Sequence, residues 1–144
     1  MLAVVLTTTI AFGQKKENKT DIQIGGTVYA PLAKNLDWNA KSWGQRVNLS
    51  RQQGKHLRTN LSFGFMQNKA GDVQMPLLVG VRTHLIKSIY VGSDVGMTFY
   101  NGKKGEFTYN PSVGVEINNK WCLEQSWLRT GKKTAMGLSL LYGL

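Results

Sequence analysis

The chain has 144 residues, a formal net charge of +10 and a pI of about 9.9, with 16 glycines, 3 prolines and one cysteine. This length corresponds to one domain, and one cysteine excludes an intramolecular disulfide. The basic charge alone leaves three partners open: nucleic acid, an anionic membrane surface, or only water around a soluble protein.

Residues 1–13 are expected to be a secretory signal peptide. The run from Leu2 to Phe12 is apolar but too short for a membrane-spanning helix, which needs about 20 residues, whereas it suits the apolar region of a signal. A small-x-small pattern ends at Gly13 and would leave Gln14 as the first mature residue. No Lys or Arg precedes the run, so either the start is placed too far downstream or the signal is atypical. A buried first strand or helix is the alternative. Residues 14–20 are polar and are expected to form a flexible leader.

From residue 21 onward the apolar pattern has a period of two, which is typical of β-strands. Short turns with Asn-Gly or a single glycine separate the apolar segments, so neighbouring strands are expected to be antiparallel. We predict an all-β domain over residues 21–144, an eight-stranded up-and-down transmembrane β-barrel that leaves no free edge. The predicted strands are 21–30, 42–51, 56–67, 74–84, 88–100, 106–118, 120–129 and 134–143.

The two faces of these strands differ in composition, and the difference predicts a barrel with a polar interior and an apolar outer surface. One face is apolar throughout, and the other is polar and rich in glycine. Glycine weakens a strand and gains nothing on a surface in water, but it suits a narrow interior with little room. The polar face is therefore expected to point inward and the apolar face toward lipid. A soluble, lipocalin-like lipid-binding barrel is the alternative, and it leaves these glycines unexplained: Gly44, Gly64, Gly80, Gly92, Gly96, Gly114 and Gly137.

Aromatic residues cluster at the strand ends, as expected where rings meet lipid headgroups. We call the end at which the first strand begins the lower end, and expect it to face the periplasm. Trp121 and Tyr142 lie near the lower end. The upper group comprises Trp43, Phe65, Phe99, Phe107, Tyr109 and Trp127.

At this point the chain resembles the small outer-membrane barrels of Gram-negative bacteria, of the OmpA-transmembrane-domain and OmpX kind. The resemblance rests on the strand pattern over residues 21–144, and the segment "AFGQ" is similar to the signal ends of Bacteroidetes exported proteins. It implies an outer-membrane location, a plugged lumen, and a role in membrane integrity, adhesion or surface interaction. It also implies that the barrel-assembly machinery reads the last strand, although "MGLSLLYGL" ends in Leu144 rather than in an aromatic residue.

Six charged residues fall on the inward face, with the arginines on strands two to four and the carboxylates on strands five to seven. Charges in a poorly hydrated interior need partners, so we expect a network that locks the barrel. Arg82 is expected to pair with Glu116 near the lower end, and Arg46 with Asp94 higher up. The predicted network comprises Arg46, Arg58, Arg82, Asp94, Glu116 and Glu124.

Basic residues collect at the upper rim, where lipopolysaccharide phosphates would lie, so a cationic collar is expected to contact them. Solubility and topology alone are the alternative explanation. The collar comprises Lys34, Lys41, Lys69, Lys103, Lys104, Arg129, Lys132 and Lys133.

No residue pattern points to an enzyme. The two histidines, His56 and His84, fall near the lower end, and neither a Ser-His-Asp arrangement nor metal-ligand spacing is found. A lipid A-modifying barrel enzyme stays an alternative, because such enzymes resemble this chain in size. Pro76 and Pro111 near the upper rim each remove a ladder donor, which could open a lateral gap for lipid or simply mark a strand end. We expect a non-enzymatic monomer without metal or cofactor, in contact with outer-membrane lipid and lipopolysaccharide and not with nucleic acid.

Overall fold

A computed structural model describes residues 20–32, 42–101 and 104–144. These residues form one closed barrel in which every strand pairs antiparallel with its neighbours in sequence and the last strand pairs with the first. The described residues include no helix with the length and apolarity to cross a membrane. The strands are β1 (Thr20–Pro31), β2 (Ser42–Gln52), β3 (Leu57–Asn68), β4 (Val73–Ile86), β5 (Ile89–Tyr100), β6 (Gly105–Glu116), β7 (Trp121–Thr130) and β8 (Lys133–Gly143).

The eight predicted antiparallel strands and the barrel that they close are confirmed. All boundaries agree within two residues, and β8 begins at Lys133, one residue before the predicted start. The turns 69–72 and 131–132 lie at the upper end, and the turns 53–56, 87–88 and 117–120 lie at the lower end. The expected signal peptide and residues 14–19 of the leader lie outside the described residues.

The strands are strongly tilted against the barrel axis. A line that follows the paired residues from strand to strand around the barrel shows this tilt. It starts at His84 on β4, passes through Glu124 on β7 and Met66 on β3, and returns to β4 at Gln74, ten residues away from His84. With about 3.3 Å per residue and 4.8 Å between strands, this stagger corresponds to a tilt of about 40°. Residues that face one another across the interior therefore cannot be read from strand order alone.

The barrel is polar inside and apolar outside, as the alternation predicted. Arg46 and Glu124 are 4% and 0% exposed, whereas Phe107 on the outer surface is 63% exposed. Hydroxyl and amide side chains fill most of the remaining interior, and Val, Leu, Ile and aromatic side chains cover the outer surface between the two ends. We call this outer surface the apolar belt. Burial of the polar rather than the apolar face contradicts a soluble barrel with an apolar core.

Two inward-facing glycines make room for tyrosine rings. A Cβ atom at Gly114 would overlap the ring of Tyr90, and one at Gly137 would overlap the ring of Tyr29. The interior is therefore too narrow for any side chain at these positions, which is the physical reason for glycine on this face.

Two prolines interrupt the hydrogen-bond ladder of the wall. Pairing between β3 and β4 skips residues 75–76, and pairing between β6 and β7 skips residues 110–111. Because proline has no N–H to donate, Pro76 and Pro111 account for these interruptions. Pro111 lies near the middle of β6, so its expected position at the upper rim was wrong.

Replacing Gly114 by alanine should destabilise the barrel by pushing the Tyr90 ring from its site, at a cost of about 1–3 kcal/mol for overpacking. Urea unfolding in micelles measures the change. Gly26 faces outward with no heavy atom closer than 4.0 Å to an added Cβ, so Gly26→Ala is the control and should cost less. Equal costs for the two substitutions would contradict the crowding at Gly114.

Candidate functional site: the buried charges of the barrel interior

Glu124 on β7 lies at the centre of the interior charges. Its Oε1 atom accepts a hydrogen bond of 2.6 Å from Arg46 Nη1 on β2. Its Oε2 atom lies 2.8 Å from Arg82 Nη2 on β4, an ion pair whose N–H direction is not aligned for a hydrogen bond. One carboxylate thus joins two guanidinium groups from strands on the other side of the barrel.

Neutral and acidic side chains complete the surroundings of Arg46. Its Nε atom donates to Asn48 Oδ1 at 2.9 Å and to Ser62 Oγ at 2.8 Å. Its Nη2 atom lies 3.4 Å from Asp94 Oδ2, and Asp94 Oδ1 accepts from Asn60 Nδ2 at 3.1 Å. The expected pairing of Arg46 with Asp94 is therefore present, but the shorter contact of Arg46 is with Glu124.

Tyr90 is a member of this centre that the sequence pattern did not single out. Its hydroxyl donates to Glu124 Oε2 at 2.6 Å, and its ring lies under the guanidinium of Arg82, with 5.0 Å from Cζ to the ring centroid. The alternation along β5 could have identified Tyr90, because it lies on the same inward face as Asp94. The ring therefore packs the cation while the hydroxyl satisfies the anion.

Arg58 and Glu116 form a separate pair at the lower end. Arg58 Nη1 lies 3.1 Å from Glu116 Oε1, which also contacts His84 Nε2 at 3.1 Å. The expected pairing of Arg82 with Glu116 was wrong, because Glu116 lies beside Ser88 at the lower turn and Arg82 points further inward, to Glu124. The strand stagger separates the two residues.

An apolar layer lies in the upper part of the interior, where the strand pattern predicts a polar face. Its side chains are 1–6% exposed and pack against one another, with Ala135 beside them. Met66 and Leu128 each lie two residues from the upper end of their strand. We call this group the apolar layer; it comprises Tyr29, Met66, Leu78 and Leu128.

Solvent can reach the lower pair, Arg58 and Glu116, from the lower end. A cavity of about 320 Å³ opens there between Asp21, Arg58, Glu116 and Lys120. Among the described residues, Arg58 Nε and Arg82 Nε are buried without a hydrogen-bond partner in the protein, and so are polar side-chain atoms higher in the interior, on Asn48, Asn110 and Ser112. Buried polar groups of this kind are usually satisfied by ordered water.

The basic residues are distributed over both ends of the barrel. At the upper end Lys69, Lys104, Arg129, Lys132 and Lys133 are exposed. The other members of the expected collar, Lys34, Lys41 and Lys103, lie outside the described residues. Lysines also occur at the lower end, at positions 55, 87 and 120, so excess positive charge does not by itself distinguish the two ends.

A small hydrogen-bonded cluster links two upper turns. Asp72 accepts hydrogen bonds of 3.1 Å from the side chains of Asn101 and Asn68, and Asn101 Oδ1 accepts from the Val73 amide at 2.8 Å. Hydrogen bonds from Asn101 and then Asn68 lower the pKa of the Asp72 carboxyl, because they favour its charged form. The cluster therefore joins the turn after β3 to the turn after β5.

The interior charges of the described residues contact and stabilise one another. Both oxygens of Glu124 are engaged, by two cations and a tyrosine. His84 contacts Glu116 at the lower end, and the part of the chain that is described contains no cluster of three His, Cys, Asp or Glu residues suited to a metal ion. The geometry fits a structural role, in which the ion pairs hold β2, β4 and β7 together across the interior.

No protein-family model and no curated protein sequence matches the chain. Solved structures match its fold. A de novo designed transmembrane β-barrel has a TM-score of 0.67 and 8% identity, and the match covers 91% of this chain and all of the design. Ail, the attachment invasion locus protein of Yersinia pestis, has a TM-score of 0.67 and 10% identity over 89% of this chain and 98% of Ail. Neisserial surface protein A has a TM-score of 0.62 and 10% identity over 89% and 97%.

The chain therefore has the fold of the small eight-stranded transmembrane barrels. At these identities the likeness defines the architecture and not an activity, and a designed barrel matches as well as a natural one.

Removing one partner of the buried pair Arg46–Glu124 should cost about 3–5 kcal/mol, because the remaining charge is left unpaired. We expect the double variant Arg46→Met/Glu124→Gln to cost less than the sum of the two single variants. Urea unfolding in micelles provides the four stabilities of this double-mutant cycle. The partly exposed pair Arg58–Glu116 is the control and should show a coupling of about 0–1 kcal/mol. Additive effects at Arg46 and Glu124 would refute the buried lock.

The pH at which Asp72 titrates tests the upper cluster. Its midpoint, followed by NMR of the carboxyl carbon, should lie below the ordinary value of 3.8. Because its folded pKa is lowered, the stabilisation that it provides is present above the ordinary value and is lost as the pH falls through the lowered pKa. Asn101→Ala should move the midpoint upward, and Asn118→Ala, in a lower turn, should not. A midpoint that ignores Asn101→Ala would contradict the cluster.

Proposed function

We propose that this protein is a non-enzymatic outer-membrane barrel that contributes to membrane integrity or to interactions at the cell surface. The observation that carries the proposal is that charged side chains are buried in the interior while the apolar belt around it is exposed. A belt of this extent is stable only when hydrocarbon covers it. The aromatic residues at the belt's upper edge, such as Trp43 and Phe107, suit the boundary with the headgroups.

A filled interior supports a structural role rather than transport. Charged residues fill the middle of the barrel and the apolar layer lies above them, with side chains nearly inaccessible to solvent. An eight-stranded barrel leaves an interior that side chains fill. We therefore propose that the lumen is plugged and that the barrel is not a porin.

The upper basic residues favour contact with anionic groups at the membrane surface. Lys69, Lys104, Arg129, Lys132 and Lys133 surround the upper end and project from the strands and turns. Phosphates of lipopolysaccharide are anions at this height of an outer membrane. A lipid-modifying enzyme is less well supported, because both histidines lie toward the lower end. During biogenesis we expect the barrel-assembly machinery to receive β8.

Electrophoresis and fractionation test the location and the fold together. The unboiled protein should migrate differently from the boiled protein and should fractionate with the outer membrane, because an intact barrel resists unfolding by detergent. Recovery in a soluble fraction, or identical migration of both samples, would refute the proposal. A stable, porin-sized conductance in a planar bilayer would refute the plugged lumen.

Labelling of intact cells tests the orientation. Lys69→Cys at an upper turn should react with a membrane-impermeant maleimide, whereas Lys120→Cys at a lower turn should react only after the outer membrane is permeabilised. Unmodified Cys122 is buried in the interior and is the background control. Equal labelling of the two variants in intact cells would contradict the proposed topology.

A further inference from the structure

Two aromatic rings and a lysine meet at the lower edge of the apolar belt, where β7 begins and β8 ends. Trp121 and Tyr142 are paired residues of these strands, and their rings pack edge to face with centroids 4.9 Å apart. Lys120 borders the lower cavity, yet its Nζ atom lies over the outward-facing ring of Tyr142, 5.8 Å from the ring centroid. We call these three residues the lower aromatic group.

The side chains of the lower aromatic group carry three polar donors, which are an ammonium, an indole N–H and a phenol hydroxyl. Within the described ranges, Lys120 and Trp121 make hydrogen bonds only through their backbones, and both of their amides bind Asn118 Oδ1, at 2.8 and 2.9 Å. The described chain begins at Thr20, which pairs with Arg51 on the side of β1 that faces away from β8. Donors at the edge of a hydrocarbon layer favour an acceptor on the lipid.

An apolar surface continues directly above this group, toward the middle of the belt. Leu123 and Leu140 are the next outward-facing pair of β7 and β8 and are 39% and 45% exposed. On β1, Ile24 pairs with Tyr142 and is 42% exposed. A molecule that fits both parts has hydrocarbon chains and a hydrogen-bond-accepting head. This is the chemistry of a phospholipid and not of a free ion.

The charge at the lower end favours an anionic headgroup. Each of the three lower turns, over residues 53–56, 87–88 and 117–120, carries one lysine and no carboxylate. Two carboxylates lie near these turns, and both are close to Arg58: Asp21 at 4.0 Å and Glu116 at 3.1 Å. The turns are therefore positively charged, and lysines at a membrane surface attract anionic lipids.

We propose that Lys120, Trp121 and Tyr142 form a binding site for an anionic phospholipid of the periplasmic leaflet, of the phosphatidylglycerol type, whose phosphate accepts hydrogen bonds from the ammonium and the indole. The inference rests on the proposed membrane location and orientation and adds a lipid partner to them. The Tyr142 ring holds the ammonium by a cation–π contact, and the Trp121 ring packs against the Tyr142 ring. The donors are therefore in place before the lipid binds, which lowers the entropic cost of binding.

NMR spectroscopy of the protein in nanodiscs tests this site through the indole N–H signals, with Trp121→Phe to assign the signal of Trp121. When phosphatidylglycerol replaces part of the phosphatidylcholine, this signal should shift, because its N–H gains a charged acceptor. Lys120→Gln should weaken the response about fivefold in lipid concentration, the factor for one lysine at an anionic surface. Lys55→Gln is the matched control, because it removes the same charge from another lower turn, and it should weaken the response less.

Three results would overturn the inference. The first is a Trp121 signal that does not respond to phosphatidylglycerol. The second is an equal loss in Lys120→Gln and Lys55→Gln, which would indicate a diffuse surface potential. The third is the same response to inorganic phosphate in discs of phosphatidylcholine alone, which would indicate a site for a free anion. A chain that does not insert into nanodiscs would overturn the proposed function as well, whereas an inserted barrel with any of these results contradicts the lipid site alone.

Discussion

The ion pairs of Glu124 with Arg46 and Arg82 are the interaction on which the rest of the interior depends. Transfer of a single ion into a medium of low dielectric constant costs several kcal/mol even after relaxation, so none of the three groups could be buried alone. Each of the two oxygens of Glu124 faces one guanidinium group. Because β2, β4 and β7 must all deliver their side chains to one point, the pairing specifies which strands face each other across the barrel.

The same charges explain why glycine and tyrosine occur together around them. A guanidinium group and a carboxylate fill much of a narrow interior, and the Tyr90 ring fits beside Arg82 only because Gly114 has no side chain. The tyrosine hydroxyl donates a hydrogen bond to Glu124 that a water molecule would otherwise have to donate. Tyr90 thus provides both packing and a hydrogen bond, and Gly114 on the neighbouring strand leaves the space for it.

The strand pattern was sufficient to predict the barrel and its inverted faces, because a period of two assigns each residue to one side. It was not sufficient to predict the contacts inside. Arg82 meets Glu124 rather than Glu116 because contacts across the interior depend on the stagger, which arises from all eight pairings and leaves no local signal. The apolar layer was missed for another reason: Met66, Leu78 and Leu128 occupy inward positions, but a few apolar residues on a polar face do not alter its average character.

The interior charges lie in two different environments. Arg58 and Glu116 lie at the lower end, beside the cavity, and are 22% and 26% exposed. Arg46 and Asp94 lie closer to the apolar layer and are 4% and 1% exposed. The effective dielectric constant is lower around buried groups than around exposed ones, so the same separation between opposite charges gives a stronger attraction near Asp94 than near Glu116. The barrel thus has two electrostatically different halves.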